Sequence, residues 1–279
     1  MPTPPAPPRA LALDLDGTLL EPDGTLAPHV AERLGALAAG GVRIVLVSGR
    51  MQPAVEPAWR ELRLDTPIVS YNGCRIARPG EPPLQLTLLP ETVAREAVAV
   101  CHACGIHVNL YHDDRLYVFD ESDIARDYAA YYDVPLHVVG SDGADPVRAT
   151  TKVLAITTEA RLPEAFGDLS AALGGKADLT TSSRRYVEIL PRGVNKGAAL
   201  ATLAGAFGIP LAEWVAVGDG RNDAEMIAAA GTGVAIRGSD PAALEAADLV
   251  VDPLGAGGVE ALLAEVFPAR LREAASGER

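Results

Sequence analysis

The chain has 279 residues, and its 24 Lys and Arg stand against 37 Asp and Glu for a formal net charge of −13. So acidic a balance excludes broad binding to nucleic acid or anionic membranes, which need a basic partner surface, but leaves room for a small anionic substrate held by local donors or a bound cation. No apolar run nears the roughly 18 residues of a membrane span, the three cysteines imply no disulfide framework, and the Pro-rich Met1–Pro8 lacks a basic-then-apolar signal pattern, so the expectation is a soluble cytoplasmic protein with a frayed leader.

Length suggests one large domain or two modest ones. Ala10–Leu15 predicts a buried strand, Pro28–Ala39 a helix with Val30, Leu34 and Leu37 on one face, and Val42–Val47 a second buried strand. A short helix over 52–62 and a third strand, Pro67–Tyr71, follow, then the turn pair Asn72-Gly73. Strand–helix–strand at this spacing predicts a parallel sheet covered by helices. Pro79–Pro83 is linker-like. Beyond it the runs shorten and become amphipathic, as in a sheet covered on one face: a helix near 91–104, strands near 106–110 and 115–119, a helix near 122–132, a strand at 151–157, a helix at 162–173 and a strand at 185–190. The last third returns to the first texture, with a helix from Lys196 to Gly208, a strand Trp214–Val217, a helix Ala224–Ala230, a strand Gly233–Ile236, a helix Pro241–Ala247, a strand Leu249–Val251 and a helix Val259–Val266, before a polar, loosely held Arg270–Arg279. The expected organisation is an α/β core from residues 1–81 and 191–279, with 82–190 inserted as a smaller unit.

Chemistry gathers at strand ends. Asp14-Leu15-Asp16-Gly17-Thr18-Leu19 sets two carboxylates where the first buried strand stops. Open α/β sheets bind ligands there, and acids closing an apolar strand are costly unless used or paired; alone, Asp-x-Asp-Gly is also ordinary loop or Ca²⁺-loop chemistry. Ser48-Gly49-Arg50 follows the second strand with a hydroxyl, an open backbone N–H and a guanidinium, all donors for an anion. Lys196 opens a helix against the dipole and wants a compensating anion. Gly218-Asp219-Gly220-Arg221-Asn222-Asp223 follows another buried strand. Each has a bland reading as a turn, a cap or a surface charge, but their joint placement offers acids for a hard cation, a carboxylate nucleophile and donors for phosphate.

DLDGTL, SGR, Lys196 and GDGRND, in that order, resemble the four signature motifs of the haloacid dehalogenase (HAD) superfamily of phosphotransferases, over nearly the whole chain. The inserted block looks like the larger, type IIB cap of the Cof-type subfamily, to which SYNGCRI and GVNKGAAL are also similar. Ala235-Ile236-Arg237-Gly238-Ser239 departs from that subfamily's Ala-Met-Gly-Asn stretch, so no role is carried over near residue 239. The resemblance implies a Rossmann-like parallel core with an inserted α+β cap.

It further implies that Asp14 is the nucleophile forming an aspartyl-phosphate, and that Asp16 is the general acid and then base, which needs a raised pKa. Mg²⁺ would be held by the Asp14 carboxylate, the Asp16 backbone carbonyl and Asp219, with Asp223 in or beside the shell. Ser48, Gly49, Lys196 and Asn222 would cradle the phosphoryl oxygens, with Arg50 either joining them or bracing the loop through a salt bridge. The cap would act as a lid, with Asn72, Tyr186 and Arg184 as candidate leaving-group contacts. Tyr128, Tyr131 and Tyr132 read as packing, Asp113-Asp114 as solvated surface, and Cys101-His102-Ala103-Cys104 as a helix pattern rather than a zinc site. The implied function is a Mg²⁺-dependent phosphatase of small phosphorylated metabolites, with no nucleic-acid or membrane partner. The alternatives are a phosphomutase or specialised sugar-phosphate phosphatase on the same scaffold, and a non-catalytic ligand-binding member.

Overall fold

The computed structural model describes residues 7–268; most of the Met1–Pro8 leader and all of Arg270–Arg279 lie outside the described residues. The chain begins with β1 (Ala10–Leu13), α1 (Pro28–Ala39), β2 (Arg43–Leu46), α2 (Glu56–Glu61), β3 (Ile68–Ser70), β4 (Arg75–Ala77) and β5 (Gln85–Leu86). The middle carries α3 (Glu91–Ala103), β6 (His107–His112), β7 (Arg115–Val118), α4 (Asp123–Tyr131), β8 (Leu136–Val138), β9 (Val153–Ile156), α5 (Leu162–Leu173), β10 (Asp178–Ser183) and β11 (Tyr186–Leu190). The last part holds α6 (Lys196–Phe207), β12 (Trp214–Gly218), α7 (Ala224–Ala229), β13 (Thr232–Ile236), α8 (Pro241–Ala246), β14 (Leu249–Val251) and α9 (Gly258–Val266).

Five strands form a parallel sheet in the order β14-β13-β12-β1-β2. A parallel sheet is buried on both faces, so its strands are continuous apolar runs; every residue of β1 and β12 is buried. Successive side chains enter opposite layers. Leu11 and Leu13 pack with α1 and α9 through Leu34 and Leu262, while Ala10 and Ala12 pack with α6 and α7 through Leu200 and Met226. The chain leaves β1 toward β2 on one side and returns as β12 on the other. That reversal opens a crevice at the carboxyl ends of β1 and β12, the place where open α/β sheets bind ligands.

The third predicted strand forms as β3 and meets the chain beyond β2 in parallel, at a bridge between Val47 and Val69. What the sequence did not show is that β3 also pairs antiparallel with β4 in a separate three-stranded sheet, β3-β4-β5. The cause is local. Tyr71 and Asn72 have φ of 53° and 55° and Gly73 has φ of 104°, so the chain reverses on the spot.

The inserted part forms a six-stranded sheet, β10-β11-β9-β6-β7-β8, antiparallel except between β7 and β8. Its two faces have different neighbours. Val108, Leu110, Val153, Ala155, Val187 and Ile189 pack against α3 and α5. Tyr111, Leu116, Leu154, Ile156 and Leu190 face the other way, clustering with Tyr128 of α4 and with Met51, Tyr71 and Cys74 of the core. By the same period of two, Lys152 and Glu188 belong to this core-facing side. Cys101 is buried in the α3–α5 layer and so serves packing. Among the described residues no helix is long and apolar enough to cross a membrane.

Candidate active site

The Asp14 N–H donates to the Val217 carbonyl at 3.0 Å, extending the β1–β12 pairing one residue past the strand and fixing the Asp14 side chain at the crevice. Asp219 immediately follows β12, but its N–H donates to Asp223 Oδ2 instead of extending the sheet. Gly17 turns the chain away at φ 76°, and a Cβ there would collide with the Asp219 carboxylate, so glycine lets the two loops close on each other. The Thr18 hydroxyl donates to Asp219 Oδ1 at 3.2 Å, tying them together.

Lys196 opens α6 and is completely buried. Its ammonium lies 2.5 Å from Asp14 Oδ1 and 2.5 Å from Asp223 Oδ1. Burial pushes the lysine down, but Asp14 and then Asp223 more than offset it, so the group is held above its ordinary range and stays charged. Asp223 Oδ2 accepts the backbone N–H groups of Asp219 at 3.1 Å and Gly220 at 2.8 Å. The Asn222 amide donates to Asn72 Oδ1 at 2.8 Å.

Carboxylate oxygens of Asp14, Asp219 and Asp223 lie within 4.8 Å of one another. Such crowding is expensive. Burial first, and then repulsion from Asp223, holds Asp14 well above the carboxylate range despite the pull of Lys196. Burial and Asp223 push Asp219 up to about 6. One lysine does not neutralise three acids. An all-oxygen donor set with excess negative charge suits a hard divalent cation, so the residues present fit a metal. Asp14 and Asp219 are the acids with an oxygen least committed elsewhere, since Asp223 already serves Lys196 and two amides.

Asp16 stands apart from this trio. Arg50 grips it through two bonds, Nε to Oδ2 at 2.8 Å and Nη2 to Oδ1 at 2.5 Å, and the guanidinium stacks 4.9 Å from the Tyr132 ring centroid. Of the two roles open to Arg50 from sequence, its geometry is that of a brace. That fork occupies both carboxylate oxygens of Asp16, so Asp16 must leave Arg50 before it can reach a substrate.

A cavity of about 230 Å³ opens above these groups. Its floor includes Asp14, Asp16, Asp219 and Asn222, and its rim Gly49 and Arg50. Ser48 lies buried behind the rim, and its Oγ accepts the Arg50 N–H at 3.1 Å. The roof comes from the cap: Tyr128, Tyr131, Tyr132, Tyr186, Arg185, Ser182 and the ion pair Lys152–Glu188. The α4 tyrosines therefore line the cavity as well as packing, which corrects the sequence reading. Helical spacing is the same for a packing stripe and a roof, so only the docking of α4 over β1 decides. Tyr186 lines the cavity as expected, whereas Arg184 faces solvent against Glu159 at 3.0 Å. Asn72 lies at the base, on Asn222 and a neighbouring pocket. Asp114 is not plain surface: it accepts the Tyr71 hydroxyl at 2.9 Å and lies 3.4 Å from Arg75, joining cap to core. Lys152 and Glu188 escaped the sequence reading. The signal was present in Glu188, an acid in the middle of the apolar run YVEIL.

A family model described as haloacid dehalogenase-like hydrolase matches residues 11–263. The chain belongs to that family. This hydrolase is 30% identical over 254 residues to the pyridoxal phosphate phosphatase YbhA of Escherichia coli (strain K12), covering 87% of this chain and 93% of the relative. It is 28% identical over 245 residues to an HMP-PP phosphatase of Serratia proteamaculans (strain 568), covering 84% and 85%. Among solved structures, a haloacid dehalogenase-like hydrolase from Bacteroides thetaiotaomicron superposes with a TM-score of 0.82 at 26% identity, covering 93% of this chain and all of the other. A HAD subclass IIB sugar phosphatase shares the fold, with a TM-score of 0.81 at 21% identity over 92% and 98% of the two chains. The HAD hydrolase fold with its inserted cap is thus the architecture of this protein.

Proposed function

We propose that this HAD-type phosphatase is a Mg²⁺-dependent enzyme that hydrolyses small phosphomonoesters through an aspartyl-phosphate on Asp14. The observation that carries the reading is the Asp14 carboxylate, at the crevice between β1 and β12, held by a fully buried lysine within a trio of acids. Asp14, Asp219, the Asp16 backbone carbonyl and, at closest as a neighbour, Asp223 would hold the ion. When bound, Mg²⁺ supplies the positive charge that lets an anionic nucleophile meet an anionic phosphate.

The chain's own residues carry the steps. One Asp14 carboxylate oxygen attacks phosphorus, and the bond from phosphorus to the leaving oxygen breaks. Asp16, released from Arg50, gives that oxygen its proton; it then takes a proton from the water that attacks phosphorus and frees Asp14. Lys196 holds Asp14 in line and, with Ser48, Asn222 and the Gly49 loop, donates toward the phosphoryl oxygens. The tyrosine roof, with Arg185, would exclude water and select the leaving group, which makes residues 82–190 a lid over a core of 1–81 and 191–279. That wall suits a flat leaving group, in keeping with relatives named for HMP-PP and pyridoxal phosphate. The compartment this reading goes with is the cytoplasm.

The test is phosphate release from a panel of aryl, sugar and heteroaromatic monoesters with Mg²⁺ and with chelator. Metal-dependent turnover ranked by leaving group is expected. Isomerised product without phosphate release would point instead to a mutase, and binding without turnover to a ligand-binding role.

A further inference from the structure

The Lys152–Glu188 pair takes no part in the chemistry above, yet it is buried on the cavity wall, with side chains only 1% and 3% exposed. Desolvation offsets most of what a buried ion pair gains, so such a pair is weak evidence of stability. Its partners say more. The Lys152 ammonium has three N–H donors and three places for them: Glu188 Oε2 at 2.6 Å, the Tyr111 ring with its centroid 5.1 Å away, and the Gly49 carbonyl oxygen at 2.7 Å. Glu188 fills its other oxygen with the Ser182 hydroxyl at 2.6 Å. With all three donors engaged, Lys152 is not a substrate contact. Its third partner lies across the cap–core boundary, in the loop that carries Ser48 and Arg50.

The Gly49 carbonyl shares a peptide plane with the Arg50 N–H, which donates to Ser48 Oγ. An ammonium on the carbonyl polarises the peptide and strengthens the donor on its opposite side. Once Ser48 Oγ is fixed as an acceptor, its own O–H is the proton left to turn toward a phosphoryl oxygen. We propose that Lys152 is a positioning residue: through one peptide unit the cap orients the Ser48 hydroxyl, so that the phosphate-binding loop is set when the cap is seated. The inference rests on Ser48 serving as a phosphate donor.

The test is a double-mutant cycle. Lys152→Met alone would strand a buried Glu188, so it is paired with Glu188→Gln, which removes both charges together; circular dichroism and melting check the fold. Wild type, Ser48→Ala, Lys152→Met/Glu188→Gln and the combined variant are assayed for phosphate release and for competitive inhibition by inorganic phosphate. The expected result is a kcat loss of about 10- to 100-fold for the paired variant, the cost of one charge-assisted hydrogen bond. The factor should be the same for good and poor leaving groups, with weaker phosphate inhibition. In the Ser48→Ala background the same pair should cost less than about threefold, because the residue it acts through is gone. Full additivity, or wild-type kinetics in the paired variant, overturns the inference while leaving the phosphatase reading intact. An inactive wild type, or an unimpaired Ser48→Ala, overturns the underlying reading and the inference with it.

Discussion

Asp219→Asn should stabilise the metal-free protein while destroying its response to metal. Asp219 is pushed from 3.8 to about 6, by burial and then by Asp223. Between those values the folded protein keeps a proton that the unfolded chain has lost, so stability falls as pH rises through that window. Two units correspond to about 3 kcal/mol at most, and screening by solvent at the open crevice reduces this to about 1–2 kcal/mol. The neutral amide keeps the shape and an acceptor for the Thr18 hydroxyl, without the charge. In chelator at pH 7.5 the variant should therefore melt several degrees higher than wild type, at roughly 2–4 °C per kcal/mol for a chain of this size. The gap should close as pH falls from about 6 to 4. Adding Mg²⁺ at pH 7.5 should raise the wild-type melting temperature and leave the variant unmoved. A variant that melts below wild type in chelator at pH 7.5, or a gap indifferent to pH, would refute the picture of crowded, uncompensated acids.

Lys196→Met removes the cation that bridges Asp14 and Asp223 and should abolish turnover; breaking a buried pair this way costs about 3–5 kcal/mol, read as a drop of roughly 10 °C in melting temperature. Gly17→Ala must adopt φ near 76° and press a methyl on Asp219, so calorimetry should show a destabilisation of about 1–2 kcal/mol from the backbone alone and weakened Mg²⁺ binding. Tyr131 is 57% exposed at the cavity rim; Tyr131→Ala should change stability by less than about 0.5 kcal/mol, while raising KM for the preferred substrate several-fold and reordering the substrate panel.

How legible this was follows from where the physics is local. Buried parallel strands are continuous apolar runs, and β1, β2 and β12 declare themselves as such. α5 was bounded by Leu162 and Leu173 in the sequence and in the fold, and α6 stops at Gly208, where φ is 62°. The acids after β1 and β12 stood out because charge closing an apolar strand has few cheap explanations. What failed was non-local. β10, DLTTSS, is half-buried and has no apolar alternation; it exists because β11 offers it an edge. β8 lies in the same way against β7. The Tyr71–Gly73 reversal sent β3 into a second sheet, which Asn72-Gly73 hinted at without naming a partner. Lys152 reaches Gly49 across 103 residues of sequence, and no periodicity encodes that contact. The tyrosine roof likewise required the cap to be docked, whereas the Arg50 salt bridge, made within the core, was one of the two roles open from sequence.

The central claim is that Asp14 is the nucleophile of a metal-dependent phosphatase. It is tested most directly by phosphate release from an aryl phosphate with Mg²⁺, comparing wild type with folded Asp14→Asn and running each with and without chelator. The account predicts turnover by wild type that chelator abolishes and that the asparagine variant lacks altogether. Equal turnover by both proteins, or none by folded, Mg²⁺-loaded wild type on aryl and metabolite monoesters alike, would contradict it.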